Sequence, residues 1–200
     1  AVNMPMSDWA GIFTEEATSG YGADVALSGN LAKLTNVSQL FAKIEFGIGL
    51  ANATYVSGLD ATVPVIIDVY GGISKKLWFS RMNLEIGAAA GITMLSFNAP
   101  YYYSKDYTYS MKTFGAKFDA ALNFLISPDV SIGFNAGYKF TSNISEITIT
   151  DKDGKEVATA PINDSKTNFS GISFGANFSY ALPSLPFNPF SFFDKGNIDY

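Results

Sequence analysis

Between Tyr21 and Tyr180 apolar and polar residues alternate with a period of two, the spacing of a strand whose two faces meet different surroundings. Tyr21, Ala23, Val25, Leu27 and Leu31 oppose Gly22, Asp24, Ser28 and Asn30. Leu40, Ala42, Ile44, Phe46, Ile48 and Leu50 oppose Lys43, Glu45, Gly47 and Gly49. The alternation strengthens further on, where Phe114, Ala116, Phe118, Ala120, Leu122, Phe124 and Ile126 face away from Thr113, Gly115, Lys117, Asp119 and Asn123. A helix would bring apolar residues back every three or four positions, and none of these segments does. The alternation predicts strands near 21–31, 40–56, 62–73, 78–97, 107–126, 130–140 and 168–180, with a weaker one near 9–14 ahead of the polar turn Glu15–Gly20.

Which face points outward follows from volume, glycine and charge. A barrel of eight strands has an interior just wide enough for side chains to fill. The apolar face carries Phe114, Phe118, Phe124, Phe134, Phe140, Phe174 and Phe178, too much bulk for such a lumen. Glycines 47, 49, 72, 87, 91, 115, 133, 137, 171 and 175 lie on the polar face, whereas Gly29 and Gly71 lie on the other. The polar face also holds Asp24, Lys43, Glu45, Asp68, Arg81, Glu85, Lys117, Asp119 and Lys139, a nearly balanced set suited to internal ion pairs. The expected architecture is therefore an all-β, antiparallel, up-and-down transmembrane β-barrel of eight strands over residues 1–180. The apolar face looks out to lipid, and a Pro/Phe-rich periplasmic tail follows at 181–200. The competing architecture, a soluble lipid-binding barrel, would carry the apolar face inside around its ligand.

Composition fits the lipid-facing reading. Of 200 residues, 48% are hydrophobic and only 16% charged, whereas a soluble surface alone is about 25–35% charged. Seventeen Phe, 11 Tyr and 2 Trp exclude disorder, and a net charge of −5 argues against a nucleic-acid partner. The most apolar run, Ile86–Leu95, is far short of the roughly 20 residues a membrane helix needs. Cysteine and histidine are both absent. That removes disulfides, thiolate nucleophiles, Ser-His or Cys-His catalysis and the zinc sites built on those ligands. No cofactor and no metal are expected, and no enzymatic activity.

Short connections are expected at Leu31–Gln39, Ser74–Leu77 and Ser127–Asp129, all at one end, and longer ones at Ser57–Ala61, Asn98–Tyr109 and Thr141–Asn168. Transmembrane barrels keep short turns in the periplasm and long loops outside, which places both termini in the periplasm. Trp78, Phe124 and Tyr180 then fall near the inner interface, Tyr138 and Phe140 near the outer one. Within the longest loop, Ile144–Thr150 and Val157–Ala160 form a hairpin turning at Asp153-Gly154, a dipeptide favoured there. A calcium loop is the competing reading of Asp151, Asp153 and Gly154, but its twelfth position is Ile162 where a bidentate Glu belongs. Tyr101, Tyr102, Tyr103, Tyr107 and Tyr109 crowd another loop and are candidates for extracellular recognition. An interfacial aromatic belt is the competing account of them.

On the outward Phe/Leu/Ile alternation, the inward glycines with paired charges, the short turns at one end and the aromatic Tyr180, the chain resembles the small bacterial outer-membrane barrels of the OmpA transmembrane-domain, OmpX and OmpW type. The resemblance is architectural and covers roughly residues 9–180. It implies residence in the bacterial outer membrane, with membrane lipid and an extracellular or envelope protein as partners. Its implied role is a non-catalytic barrel presenting surface loops above a charge-plugged lumen. The alternative is a narrow channel or transporter for small or apolar solutes.

Overall fold

A computed structural model describes residues 2–5, 19–31, 35, 37–52, 64–101, 104–161 and 168–181. The described chain is built from strands: β1 (Val2–Pro5), β2 (Ser19–Asn30), β3 (Leu40–Asn52), β4 (Val65–Phe79), β5 (Met82–Tyr101), β6 (Ser104–Leu125), β7 (Val130–Thr141), β8 (Glu146–Thr150), β9 (Glu156–Pro161) and β10 (Gly171–Tyr180). Every pairing is antiparallel, and sequence neighbours pair from β1 through β7. β10 pairs β7 on one side and β1 on the other, which closes the ring. β1 holds the join through four rungs to β10 and two to β2. This is the up-and-down β-barrel that the alternation implies. The strand expected near 9–14 and the tail beyond Ala181 lie outside the described residues.

The two faces are sorted as the sequence predicts. Phe114 is 71% exposed and Phe134 69%, and Ile48, Phe118, Phe140 and Phe178 are likewise open on the outer surface. Glu45, Asn83, Thr93, Thr113, Asn123 and Lys139 are buried inside. A soluble barrel with a lipid ligand inside would need the reverse, so that alternative falls. Glycine makes the crowded interior possible. A Cβ on Gly115 would stand 2.8 Å from the Tyr70 hydroxyl, whereas one on outward Gly71 would meet nothing within 4 Å.

Two strand boundaries differ from expectation. The polar pair Lys75-Lys76 suggests a turn at Ser74–Leu77, yet β4 continues to Phe79 and the chain reverses at Ser80-Arg81, with Ser80 at φ 58°. Lys76 reaches Glu85 at 3.5 Å and lies 4.8 Å from the centre of the Phe41 ring. Its charge is therefore satisfied within the sheet and need not end it. The second difference is at the end opposite the short turns, where β5 and β6 pair rung for rung from Met82–Phe124 to Ala99–Tyr107. β6 runs well past its last rung with β7, Gly115–Thr141, and β8 pairs onto that extension through Thr108–Thr150, Tyr109–Ile149 and Ser110–Thr148.

The hairpin of β8 and β9 turns where the Asp-Gly dipeptide predicts. Gly154 has φ +75°, a conformation that glycine adopts without penalty. The Asp151 carboxylate accepts hydrogen bonds from the backbone N–H of Asp153 (3.0 Å) and of Lys155 (2.9 Å). These bonds shape the turn, and no metal-binding cluster occurs among the described residues.

Candidate functional site

The interior is layered along the barrel axis. At the end with the short turns lies a ladder of amides from three strands. Asn123 on β6 donates to the Asn83 side-chain oxygen on β5 at 2.9 Å, and Asn177 on β10 donates to the Asn123 oxygen at 2.7 Å. Asn has both a donor and an acceptor, so a row of amides can be extended without introducing charge.

Above the amides sits the ionic layer. Glu45 on β3 pairs with Lys43 on its own strand at 3.1 Å and with Lys117 on β6. Lys43 also reaches Asp119 at 3.3 Å, so four charges form one alternating chain across the lumen. A second group stands beside it. Lys139 on β7 donates to both oxygens of Asp68 on β4, at 3.1 and 3.0 Å. Thr93 donates to Asp68 at 2.6 Å, and the Tyr70 hydroxyl lies 3.0 Å from that of Thr93. Glu45 and Lys139 are each 5% exposed, so these charges are held by protein groups rather than by bulk water. Burying charges is tolerable only with partners and hydrogen bonds in place, and the network supplies both.

A cavity of about 60 Å³ lies beside the ionic layer, lined by Asp24, Glu45, Asp68, Tyr70, Lys117 and Lys139 among others. Pockets for drug-sized ligands measure about 300–1,000 Å³. This one has room for a few waters.

The third layer is apolar. Leu95, Phe97, Tyr109 and Met111, on the inward faces of β5 and β6, pack with Ile66, Ala51, Ile144, Ile149 and Phe169. Leu95 is fully buried, and the rings of Phe97 and Tyr109 stack at 5.2 Å with 7° between their planes. The loops on either side of the hairpin are tied down by Thr141, whose backbone N–H donates to Ser170 and whose hydroxyl accepts from the Phe169 N–H at 2.7 Å. Among the described residues, the barrel end opposite the short turns is packed with apolar side chains.

Of the charged residues expected in the lumen, Lys43, Glu45, Asp68, Lys117, Asp119 and Lys139 meet in the ionic layer. Glu85 is paired lower down, with Lys76, a residue whose inward position the expected turn concealed. Asp24 lines the cavity and is exposed there. Arg81 departs from expectation: it is exposed in the β4–β5 turn, outside the network, because the strand continues through the predicted turn and displaces it.

The tyrosine expectation is also corrected. Tyr109 is only 7% exposed and its ring is turned into the apolar layer, and Tyr107 is half-buried against the same layer. They lie on the inward face of β6, which runs well beyond the loop boundary the sequence implied. Tyr102 and Tyr103 lie outside the described residues, and Tyr101 ends β5 with its backbone paired to Ser104. The apolar layer itself was missed. Its signal is a switch of the apolar frame, in Ile92-Thr93-Met94-Leu95-Ser96-Phe97 from even to odd positions.

No family model and no curated protein matches the chain. Among solved structures, the crystal structure of the outer membrane protease OmpT from Escherichia coli matches with 12% identity and a TM-score of 0.43. The match covers 80% of this chain and 61% of that one. The OmpA, OmpX and OmpW types are not singled out. One expectation needs correction here: the absence of histidine suggested that the chain is not an enzyme, but the matched structure is of a protease.

Proposed function

We propose that the chain is an integral β-barrel of the bacterial outer membrane, closed along its axis, which holds a folded surface at its outer end for an extracellular or envelope partner. The observation that carries this reading is the outward apolar face. Monomeric soluble proteins rarely expose contiguous apolar patches beyond a few hundred Å², and here Phe, Ile, Leu and Val line the outside of β2 to β7 and β10. In hydrocarbon every backbone polar group needs an internal partner, which a closed barrel of paired strands provides.

Amide ladder, ion pairs and apolar mouth lie in series along the axis, and this favours a closed scaffold over a channel. The reading is tested by heat-modifiable mobility in detergent gels and by fractionation of cell envelopes. The expected outcome is a faster-migrating unboiled form, recovered with the outer membrane. A chain that stays monomeric and soluble without detergent would overturn it. Planar-bilayer recordings should show no steps above baseline, and regular conductance steps would overturn the closed-lumen part.

A further inference from the structure

The outer and inner faces exchange character at a single level of the β5–β6 pair. Below it, outward Ile92 faces Phe114 and inward Thr93 faces Thr113. Above it, the outward rungs are Ser96–Ser110 and Asn98–Thr108, continued on β8 by Thr148 and Thr150. The inward rungs become Leu95–Met111 and Phe97–Tyr109. Met94 and Lys112 share the rung of the exchange. Hydroxyls on the outer face bond laterally, Thr108 to the Asn98 side-chain oxygen at 2.8 Å and Thr150 to the Thr108 carbonyl at 3.4 Å. Thus the wall is apolar outside and polar inside up to this rung, and polar outside and apolar inside beyond it.

We infer that the outer limit of the lipid hydrocarbon lies at the Met94–Lys112 rung, and that β5, β6, β8 and β9 above it form a water-facing β-sheet head with a hydrophobic core of its own. The inference rests on the membrane reading above and adds its boundary. Only a change of surrounding solvent explains the exchange, because burying apolar groups away from water demands an apolar interior and a polar exterior. Apolar groups facing hydrocarbon demand neither. The dimensions agree. From Phe124 to Phe114 the outward face of β6 is Phe, Leu and Ala throughout. Ten residue steps of about 3.3 Å at a tilt of about 40° rise about 25 Å, the height of the apolar band on membrane barrels. The apolar layer in the mouth is then the core of the head, and the lumen is closed because the head sits on it.

The chain contains no cysteine, so single-cysteine variants carry one label each. The full chain bearing Phe118→Cys, Phe114→Cys, Asn98→Cys or Thr150→Cys is labelled with an environment-sensitive fluorophore. It is then reconstituted into phosphatidylcholine vesicles with and without nitroxide-labelled acyl chains. Retained heat-modifiable mobility certifies each variant as folded. Labels at 118 and 114 should emit as in an apolar medium and lose at least half their intensity to the nitroxide lipids. Labels at 98 and 150 should emit as in water and be quenched by less than a tenth. Comparable quenching at 98 and 150 would overturn the boundary while leaving the barrel in the membrane. Water-like, unquenched emission at 118 would overturn the membrane reading itself.

Discussion

Glu45 is the node of the ionic layer, and its neutralisation tests whether that layer holds the barrel together. The carboxylate binds Lys43 and Lys117 and is 5% exposed. In Glu45→Gln the shape is kept and one negative charge is lost. Lys43 retains Asp119 at 3.3 Å, so the residue that loses its ion pair is Lys117, with Asp24 as the remaining acid on the same cavity. Removing one partner of a buried pair destabilises by about 3–5 kcal/mol, chiefly through the charge left behind. The Lys117 side chain is 15% exposed and borders the cavity that Asp24 also lines, which softens the loss. A destabilisation of about 2–4 kcal/mol is expected. Removing the stranded charge as well, in Glu45→Gln with Lys117→Met, should recover at least about 1.5 kcal/mol of this, because a neutral pair leaves no buried ion. Urea unfolding in lipid vesicles, followed by tryptophan fluorescence and by gel mobility, measures both. A single variant within about 0.5 kcal/mol of the parent, or a double variant whose losses simply add, would refute the reasoning.

Arg81 provides the contrast: it is exposed in a turn, so Arg81→Glu should shift stability by no more than about 0.5 kcal/mol in the same assay. Gly115→Val drives side-chain carbons towards the Tyr70 hydroxyl and should lose about 1–3 kcal/mol through overpacking. Gly71→Ala, which points into open space, should be neutral within about 0.5 kcal/mol. Phe118→Arg places a cation in the middle of the apolar band and should lower stability in vesicles by about 2–4 kcal/mol.

The legible part of the structure is what the alternation controls. Phe114, Phe118 and Phe134 project outward because a strand's period is two and its bulk cannot fit a narrow lumen. Lys43, Glu45, Lys117 and Asp119 face inward by the same parity, although which acid meets which base depends on the stagger between strands. The turn at Ser80-Arg81 was illegible because a charged pair, Lys75-Lys76, is ordinarily a signal to leave the sheet. Only a partner across the sheet, Glu85, reverses that, and sequence does not display cross-strand neighbours. Tyr107 and Tyr109 were misplaced for a related reason. Five tyrosines within nine residues resemble a loop surface, but the alternation Tyr107-Thr108-Tyr109-Ser110-Met111 is itself that of a strand. Its apolar frame is opposite to that of Phe114-Gly115-Ala116, and a change of frame is legible only if the surrounding solvent is allowed to change partway along one strand.

That change of solvent also alters what an apolar side chain contributes. Leu95 is enclosed by protein in the head, whereas Ile92, one outward rung below the exchange, is 37% exposed to the outside of the band. Truncating either to Ala removes three carbons, and the lost transfer from water is about 2.4 kcal/mol at about 0.8 per methylene. At Leu95 a second loss is added, because the space it vacates is walled by Phe97, Met111 and their neighbours and stays empty. Leu→Ala substitutions in protein cores span about 2.7–5.0 kcal/mol with that cavity included. At Ile92 lipid chains flow into the space and no cavity forms. Leu95→Ala should therefore destabilise by about 3–5 kcal/mol and Ile92→Ala by no more than about 2.4 kcal/mol, measured by urea unfolding in vesicles. Equal losses at the two positions would mean that they meet the same surroundings, and the division of the β5–β6 wall into a lipid-facing part and a protein-cored head would fall.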